Sequence, residues 1–192
     1  MKVIVLLMCC YKRYKGLNDN PDPRFRTLAI DQLLDDMERE KPIRFTSFQL
    51  RMATDNYNHL LGAGGFGRVY KGSFNNEMFM AVKVLKGSSN EKIEEQFMAE
   101  VSTIGRTHHL NLVRLYGFCY ERDLQALVYE YMENGSLDSL LFSNHNAIKW
   151  EKLNEIAIGT AKGIAYLHEE CAQRIIHYDI KPGNVLLDAR YE

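Results

Sequence analysis

The glycines in the stretch LGAGGFGRVY, which starts at Leu61, are spaced as in loops whose backbone approaches a phosphate group closely. Gly62, Gly64 and Gly67 follow the pattern G-x-G-x-x-G, which also marks dinucleotide-binding folds. In those folds the loop opens a helix, and the N-terminus of that helix carries the pyrophosphate. Here two β-prone runs around Asn75-Asn76 follow instead. They predict a hairpin, so the dinucleotide interpretation fails.

Ala81 and Lys83 lie two residues apart in the second strand of this predicted hairpin, so their side chains face the same side of it. A small apolar residue beside a lysine suits a surface that covers a flat base and reaches a phosphate. The alternative is a lysine at a strand edge, with its ammonium group in solvent.

A carboxylate on the next predicted element favours the first interpretation. Apolar residues at helical spacing predict a helix over Asn90–Ile104, and Glu100 lies within or beside its inward stripe. The stripe consists of Ile93, Phe97, Val101 and Ile104. Because an unpaired, inward-facing carboxylate is energetically costly, we expect Glu100 to pair with Lys83. The alternative is a glutamate at the edge of the stripe that reaches water.

Four motifs in a fixed order resemble the eukaryotic protein kinase domain: LGAGGFGRVYKG, AVKVL, a helix carrying AEV, and HYDIKPGN. The stretches FMAEVSTIGRTHHLNLVRLYGFC and LVYEYMENGSLDSLLF narrow the resemblance to plant receptor-like serine/threonine kinases. The implied fold class is α+β and protein-kinase-like. It consists of an N-lobe antiparallel sheet plus one helix, with only the beginning of the helical C-lobe.

The resemblance implies that the chain binds ATP, with the glycine loop over the phosphates and Lys83 on the α- and β-phosphates. Leu61, Val69 and Ala81 would cover adenine, Tyr129 would be the gatekeeper, and the backbone of Glu130 and Met132 would bond the adenine edge. The implied ATP-binding residues are therefore Leu61, Gly62, Ala63, Gly64, Gly65, Phe66, Gly67, Val69, Ala81, Lys83, Glu100, Tyr129, Glu130 and Met132.

HYDIKPGN resembles the catalytic loop of this family. Asp179 would accept the proton of the substrate hydroxyl, Asn184 would bind one Mg²⁺, and Lys181 would touch the transferred phosphate. Lys181 also matches serine/threonine rather than tyrosine kinases, so a protein with serine or threonine is the implied substrate. Tyr178 stands where many kinases have an arginine that pairs with an activation-loop phosphate, so that form of regulation is in doubt.

The expected organisation has four parts: a membrane-proximal segment 1–15, a juxtamembrane linker 16–44 with a short helix, a kinase N-lobe 45–132 and a partial C-lobe 133–192. In the N-lobe we expect strands over Leu112–Tyr120 and Leu124–Tyr131. In the C-lobe a long helix should carry a broad buried stripe. The stripe consists of Leu153, Ile156, Ala157, Thr160, Ala161, Ile164, Ala165 and His168.

Composition and charge fit an intracellular domain. The 192 residues carry a formal net charge of −1, which gives no reason to expect nucleic acid as a partner. None of the four cysteines has C-x-x-C spacing, so the sequence indicates neither a zinc site nor a disulfide framework.

The N-terminus predicts membrane association. The apolar run VIVLLMCC precedes a basic cluster, but eight helical residues rise only about 12 Å against a bilayer core of about 30 Å. We therefore expect the inner end of a transmembrane helix whose start is missing. The resemblance to receptor-like kinases implies a kinase domain at the cytoplasmic side of the plasma membrane. A signal peptide is the alternative, although no small-residue cleavage site follows.

In the family, the D-F-G aspartate that holds Mg²⁺ and the activation loop come after Leu187-Asp188, and these 192 residues contain neither. We expect a chain cut from a longer receptor-like kinase, without measurable kinase activity on its own. The alternative is a genuine short and soluble cytoplasmic product, an inactive binding module derived from a kinase. An ATP-binding scaffold is compatible with either.

Overall fold

The computed structural model describes residues 42–74, 78–87, 89–105, 107–142 and 148–189. The predicted membrane-proximal segment and almost all of the predicted linker, with its short helix, lie outside these residues. The described chain forms two compact units. We call residues 42–105 and 115–130 the sheet unit, and residues 107–114 and 131–189 the helical unit. No helix within the described ranges is both long and apolar enough to cross a membrane.

A six-stranded sheet forms the centre of the sheet unit, with strand order β1-β5-β6-β4-β3-β2. Its strands are β1 Ile43–Arg44, β2 Leu60–Gly64, β3 Gly67–Phe74, β4 Met78–Leu85, β5 Leu115–Glu121 and β6 Leu124–Glu130. All neighbouring pairs are antiparallel except β1 and β5, which pair in parallel. The β3–β4 hairpin and the α+β class are confirmed, whereas the sequence analysis did not predict the two-residue β1.

Helix α1, Ser47–Ala53, packs over one face of this sheet. A reciprocal capping box starts the helix: Thr46 accepts from the backbone of Gln49, and the Gln49 side chain accepts from the backbone of Thr46. The core below it buries Phe45, which precedes α1, and apolar side chains from α1, β4, β5 and β6. They are Phe45, Leu50, Met80, Val82, Cys119, Ala126 and Val128. Burial raises the pKa of the Cys119 thiol to about 12, so this cysteine is an inert core residue.

Helix α2, Asn90–Ile104, has the predicted bounds. Ser89 caps its N-terminus by accepting a hydrogen bond from the backbone of Lys92. Phe97 is fully buried and contacts two aromatic rings of β5, with centroid distances of 6.1 Å to Phe118 and 4.8 Å to Tyr120. Since Phe118 and Cys119 point to opposite faces of β5, α2 covers the face opposite to α1.

Strand β5 begins at Leu115, three residues later than predicted. The chain before it is held in a turn, because the backbone N–H groups of Asn111 and Leu112 donate to the ring nitrogen Nδ1 and the carbonyl of His109. An apolar pattern continues through the turn, so the pattern alone placed the start too early. The following strand ends at Glu130 instead of Tyr131.

The helical unit contains α3, Leu137–Phe142, and α4, Trp150–Ala165, which continues as one π-helical turn over Tyr166–Glu170. Helix α4 buries a narrow face: Ile156, Gly159 and Gly163 are buried, whereas the alanines of the expected stripe are exposed. These exposed residues are Ala157, Ala161 and Ala165. Gly163 allows close packing, since a Cβ there would lie 3.1 Å from the Asn111 carbonyl oxygen.

Candidate functional site

The strand register brings several predicted ATP-binding residues to one face of the sheet. Val69 pairs with Lys83, and Ala81 pairs with Tyr129. Directly opposed residues share a face, and so do residues two apart on a strand, so all four side chains lie on the α2 side. Val69 and Ala81 are half-buried, as expected for residues that cover one side of a groove.

Lys83 and Glu100 form a buried ion pair on this face. The ammonium Nζ of Lys83 lies 2.5 Å from Oε1 of Glu100, and the two side chains are only 5% and 1% exposed. The alternatives of a solvated lysine or a glutamate at the stripe edge therefore do not hold. Burying both charges is costly, and the pair is stable only if the remaining carboxylate positions also find donors.

Two further donors complete the coordination of Glu100. The Tyr129 hydroxyl donates to Oε2 at 2.8 Å, and Nε2 of Gln96 donates to Oε1 at 3.2 Å. Burial, followed by the nearby Glu100 charge, raises the pKa of Tyr129 well above its usual value. The hydroxyl therefore keeps its proton and remains a donor.

Sequence reasoning placed Tyr129 beside adenine and did not consider Gln96. The tyrosine contact depends on the register between β4 and β6, which no local pattern specifies. The glutamine was detectable, because a residue four positions before a buried carboxylate lies on the same helix face.

The glycines of the loop differ in the space available for a side chain: three positions are open and one is closely packed. A Cβ added at Gly62, Gly64 or Gly65 would meet no atom within 4 Å, and none of the three has a positive φ. At Gly67 the φ is +139°, and a Cβ would lie 2.1 Å from the Val84 carbonyl oxygen. The fold itself therefore requires glycine at Gly67, whereas the other glycines leave a bare backbone that a ligand can approach closely.

The remaining residues of the predicted ATP set belong to both units. Leu61, Ala63 and Phe66 are exposed along the loop. Glu130 ends β6 in the sheet unit, and its Cα pairs with Met80. Met132 is buried in the helical unit, where its carbonyl accepts a hydrogen bond from the Gly135 backbone.

The catalytic-loop residues of the helical unit converge on Asp179. Its carboxylate oxygen Oδ2 lies 2.8 Å from Nζ of Lys181 and accepts from Nδ2 of Asn184 at 3.1 Å. The same amide nitrogen donates to the Asp179 carbonyl at 2.7 Å. The hydrogen bonds from Lys181 and Asn184, together with the Lys181 charge, lower the pKa of Asp179. The carboxylate is therefore ionised at neutral pH.

Residues before and after Asp179 in the chain hold this arrangement in place. His177 is buried and accepts the Asp179 N–H through Nδ1, while Asn184 is buried at the end of a 3₁₀ turn over Pro182–Asn184. An antiparallel bridge between Ser136 and Leu186 ties the following residues to the start of α3. Tyr178, in contrast, is 61% exposed.

These groups fit a nucleotide and a magnesium ion to different degrees. The bare glycine backbone and the buried Lys83 ammonium suit phosphate oxygens. Asn184 has its Nδ2 engaged by Asp179, which leaves the oxygen Oδ1 of its amide as the atom able to bind Mg²⁺. The described residues contain no group of three or more His, Cys, Asp and Glu placed to hold a metal ion together.

Comparison with known proteins supports the same family. The model of the protein tyrosine and serine/threonine kinase family matches residues 56–192. The chain is a protein kinase family member. It is 47% identical over 190 residues to a G-type lectin S-receptor-like serine/threonine-protein kinase of Arabidopsis thaliana. This match covers 98% of this chain and 22% of that protein. It is also 43% identical over 169 residues to a rust resistance kinase of Triticum aestivum, covering 85% of this chain and 26% of that protein.

The resemblance to plant receptor-like serine/threonine kinases is therefore confirmed. A second G-type lectin S-receptor-like serine/threonine-protein kinase of Arabidopsis thaliana is 50% identical over 155 residues, 79% of this chain and 18% of that protein. The kinase chain thus spans about a fifth to a quarter of the length of these relatives.

Removal of the Tyr129 hydroxyl tests the coordination of Glu100. We expect Tyr129→Phe to lower the free energy of unfolding by about 1–3 kcal/mol, because a hydrogen bond to a buried charged group is lost. Urea unfolding measures the change, and Tyr178→Phe, at an exposed position, serves as the control. A Tyr129→Phe variant as stable as the control would contradict the proposed bond.

Proposed function

We propose that this chain carries the ATP-binding and catalytic residues of a receptor-like serine/threonine protein kinase, which transfers the γ-phosphoryl group of ATP to a serine or threonine hydroxyl of a protein. The observation that carries the proposal is the buried Lys83–Glu100 pair. A domain gains little stability from such a pair, since apolar residues of similar volume are often as good or better. A ligand for the lysine explains why the pair is present.

In this proposal, the sheet unit binds the nucleotide. The backbone at Gly62, Gly64 and Gly65 lies over the phosphates, and Lys83 contacts the α- and β-phosphates while Glu100 holds its ammonium in place. Leu61, Val69 and Ala81 form the apolar cover of adenine.

The predicted adenine-edge contacts remain part of the proposal: the backbone of Glu130 and Met132 would bond the base. The Tyr129 hydroxyl is hydrogen-bonded to Glu100, so the Tyr129 ring is the part of the side chain that limits the space behind adenine.

The helical unit supplies the residues for transfer. The ionised Asp179 accepts the proton of the substrate hydroxyl as that oxygen bonds to the γ-phosphorus. The bond from the γ-phosphorus to the bridging oxygen breaks, and ADP leaves. Lys181 neutralises charge on the transferred group, and Asn184 is the residue of this chain that would hold Mg²⁺. Bound Mg²⁺ neutralises charge on the phosphates.

Membrane association through the apolar run near the N-terminus also remains a proposal. It agrees with the receptor-like type of the relatives.

Kinase activity is best tested on the protein at its native length, purified from its own cells through a tag added to the gene. We expect phosphorylation of serine or threonine in the protein itself or in a generic substrate. Asp179→Asn should abolish transfer without unfolding the protein, because the base is lost while the side-chain volume is kept. Asp123→Asn, in an exposed turn, is the matched control.

The Lys83→Met variant should also lose transfer, with the exposed Lys92→Met as its control. Transfer that survives in both Asp179→Asn and Lys83→Met would overturn the proposal. So would absence of transfer by the unsubstituted protein. In that case, ATP binding measured by calorimetry would favour the ATP-binding scaffold.

The two classes of loop glycine give a separate prediction. We expect Gly64→Ala to leave the free energy of unfolding unchanged but to weaken ATP binding, because the added methyl group occupies space that the phosphates approach. Gly67→Ala should destabilise the protein by about 1–3 kcal/mol or more through its positive φ and its clash with Val84.

Urea unfolding and calorimetric titration with ATP distinguish these outcomes. Equal destabilisation by both substitutions, or ATP binding unaffected by Gly64→Ala, would contradict the assignment of the open glycines to a ligand.

A further inference from the structure

We propose that Gln96 is a positioning residue that links the tip of the glycine loop to the Lys83–Glu100 pair. Its amide nitrogen Nε2 lies 3.1 Å from the backbone carbonyl oxygen of Phe66 and 3.2 Å from Oε1 of Glu100. The first contact reaches the loop tip and the second reaches the ion pair. This inference rests on the proposed function, since it concerns how the chain holds ATP.

The chemistry of the side chain fits both contacts at once. A primary amide carries two N–H donors on one nitrogen, so Nε2 serves Phe66 and Glu100 with one hydrogen each. Glutamate at this position would offer no donor and would repel Glu100. A shorter asparagine would lack the methylene needed to reach from the helix to the loop.

The two ends of this link carry different parts of the site. The Phe66 carbonyl lies at the loop tip, where it also accepts a hydrogen bond from the Lys86 backbone at 3.3 Å. A Cβ at Gly62, Gly64 or Gly65 would meet no atom within 4 Å. Pairing of β2 with β3 holds Gly62 and Gly64, and the Gln96 bond adds an anchor from α2 to the tip of the loop.

At the other end, Gln96 and Lys83 both bind Oε1 of Glu100. The position of the carboxylate therefore depends on both donors. If the loop moves away from α2, the Gln96 amide must break its bond either to Phe66 or to Glu100. A loop held down over the phosphates and a correctly placed Lys83 thus stabilise each other, and by linkage the effect is reciprocal.

The consequence is a specific effect on phosphate recognition. Gln96 does not touch the position proposed for adenine, so its loss should weaken binding of ATP and leave binding of adenosine unchanged. A residue that merely stabilises the fold would weaken both ligands together, in proportion to the fraction of protein unfolded.

The test compares Gln96→Met, which keeps the length of the side chain without a donor, with Glu95→Met, an exposed neighbour on the same helix. For Gln96→Met we expect the Kd for ATP to rise by about tenfold or less, the change that loss of one or two hydrogen bonds produces. The Kd for adenosine, measured below the melting transition, should stay within error of the unsubstituted chain. The melting temperature should fall modestly, because a bond to the buried Glu100 is lost, and Glu95→Met should change neither Kd nor the melting temperature.

Hydrogen exchange without nucleotide gives a second readout. Backbone amides over residues 62–67 should exchange faster in Gln96→Met than in the unsubstituted chain and in Glu95→Met. An unchanged exchange rate in the loop, or a parallel loss of ATP and adenosine binding together with a lower melting temperature, would overturn the proposal. Failure of the unsubstituted chain to bind ATP would count against the proposed function, while the exchange comparison would still decide whether Gln96 anchors the loop.

Discussion

The buried ion pair between Lys83 and Glu100 is the interaction on which the rest of the sheet unit depends. Both charges are removed from water, and burying either one without its partner costs about 3–5 kcal/mol. The pair joins β4 to α2, and the Tyr129 hydroxyl adds β6 to the same carboxylate. Three elements must therefore be in register before the lysine points to one place. Packing of Phe97 against β5 holds the helix at that position.

The helical unit likewise holds one carboxylate through several neighbouring groups. Asp179 is held by Lys181, Asn184 and the His177 ring, and each of these contacts lies within the loop itself. The arrangement is local, so it needs only the short 3₁₀ turn and the bridge to the start of α3 as external support. The lowered pKa keeps the Asp179 carboxylate ionised, and the neighbouring Lys181 ammonium group offsets its charge.

The sequence predicted the features that follow from local pattern or from a strong energetic constraint. The bounds of α2 were correct because an N-cap serine and an apolar stripe both mark them. The Lys83–Glu100 pair was predictable because an inward-facing carboxylate requires a cation. The capping box of Thr46 and Gln49 was also detectable in the sequence, although it was not predicted.

The features that were missed depend on tertiary register. The bond from Tyr129 to Glu100 requires β4 and β6 to pair in one alignment, which alternation along a single strand does not define. The turn at His109 lies inside a continuous apolar pattern, so β5 starts later in the chain than that pattern predicts. In α4, the predicted apolar stripe included alanines that are exposed in the structure. Alanine occurs at both buried and exposed positions, so the pattern alone did not distinguish them.

A double-mutant cycle on ATP affinity tests the central claim most directly. Calorimetry would compare the unsubstituted chain with Lys83→Met, Glu100→Gln and the double variant. The account predicts that both single substitutions weaken ATP binding and that Glu100→Gln adds no further loss once Lys83 is replaced, because the glutamate acts through the lysine. Losses that simply add, or an unsubstituted chain that does not bind ATP, would contradict it.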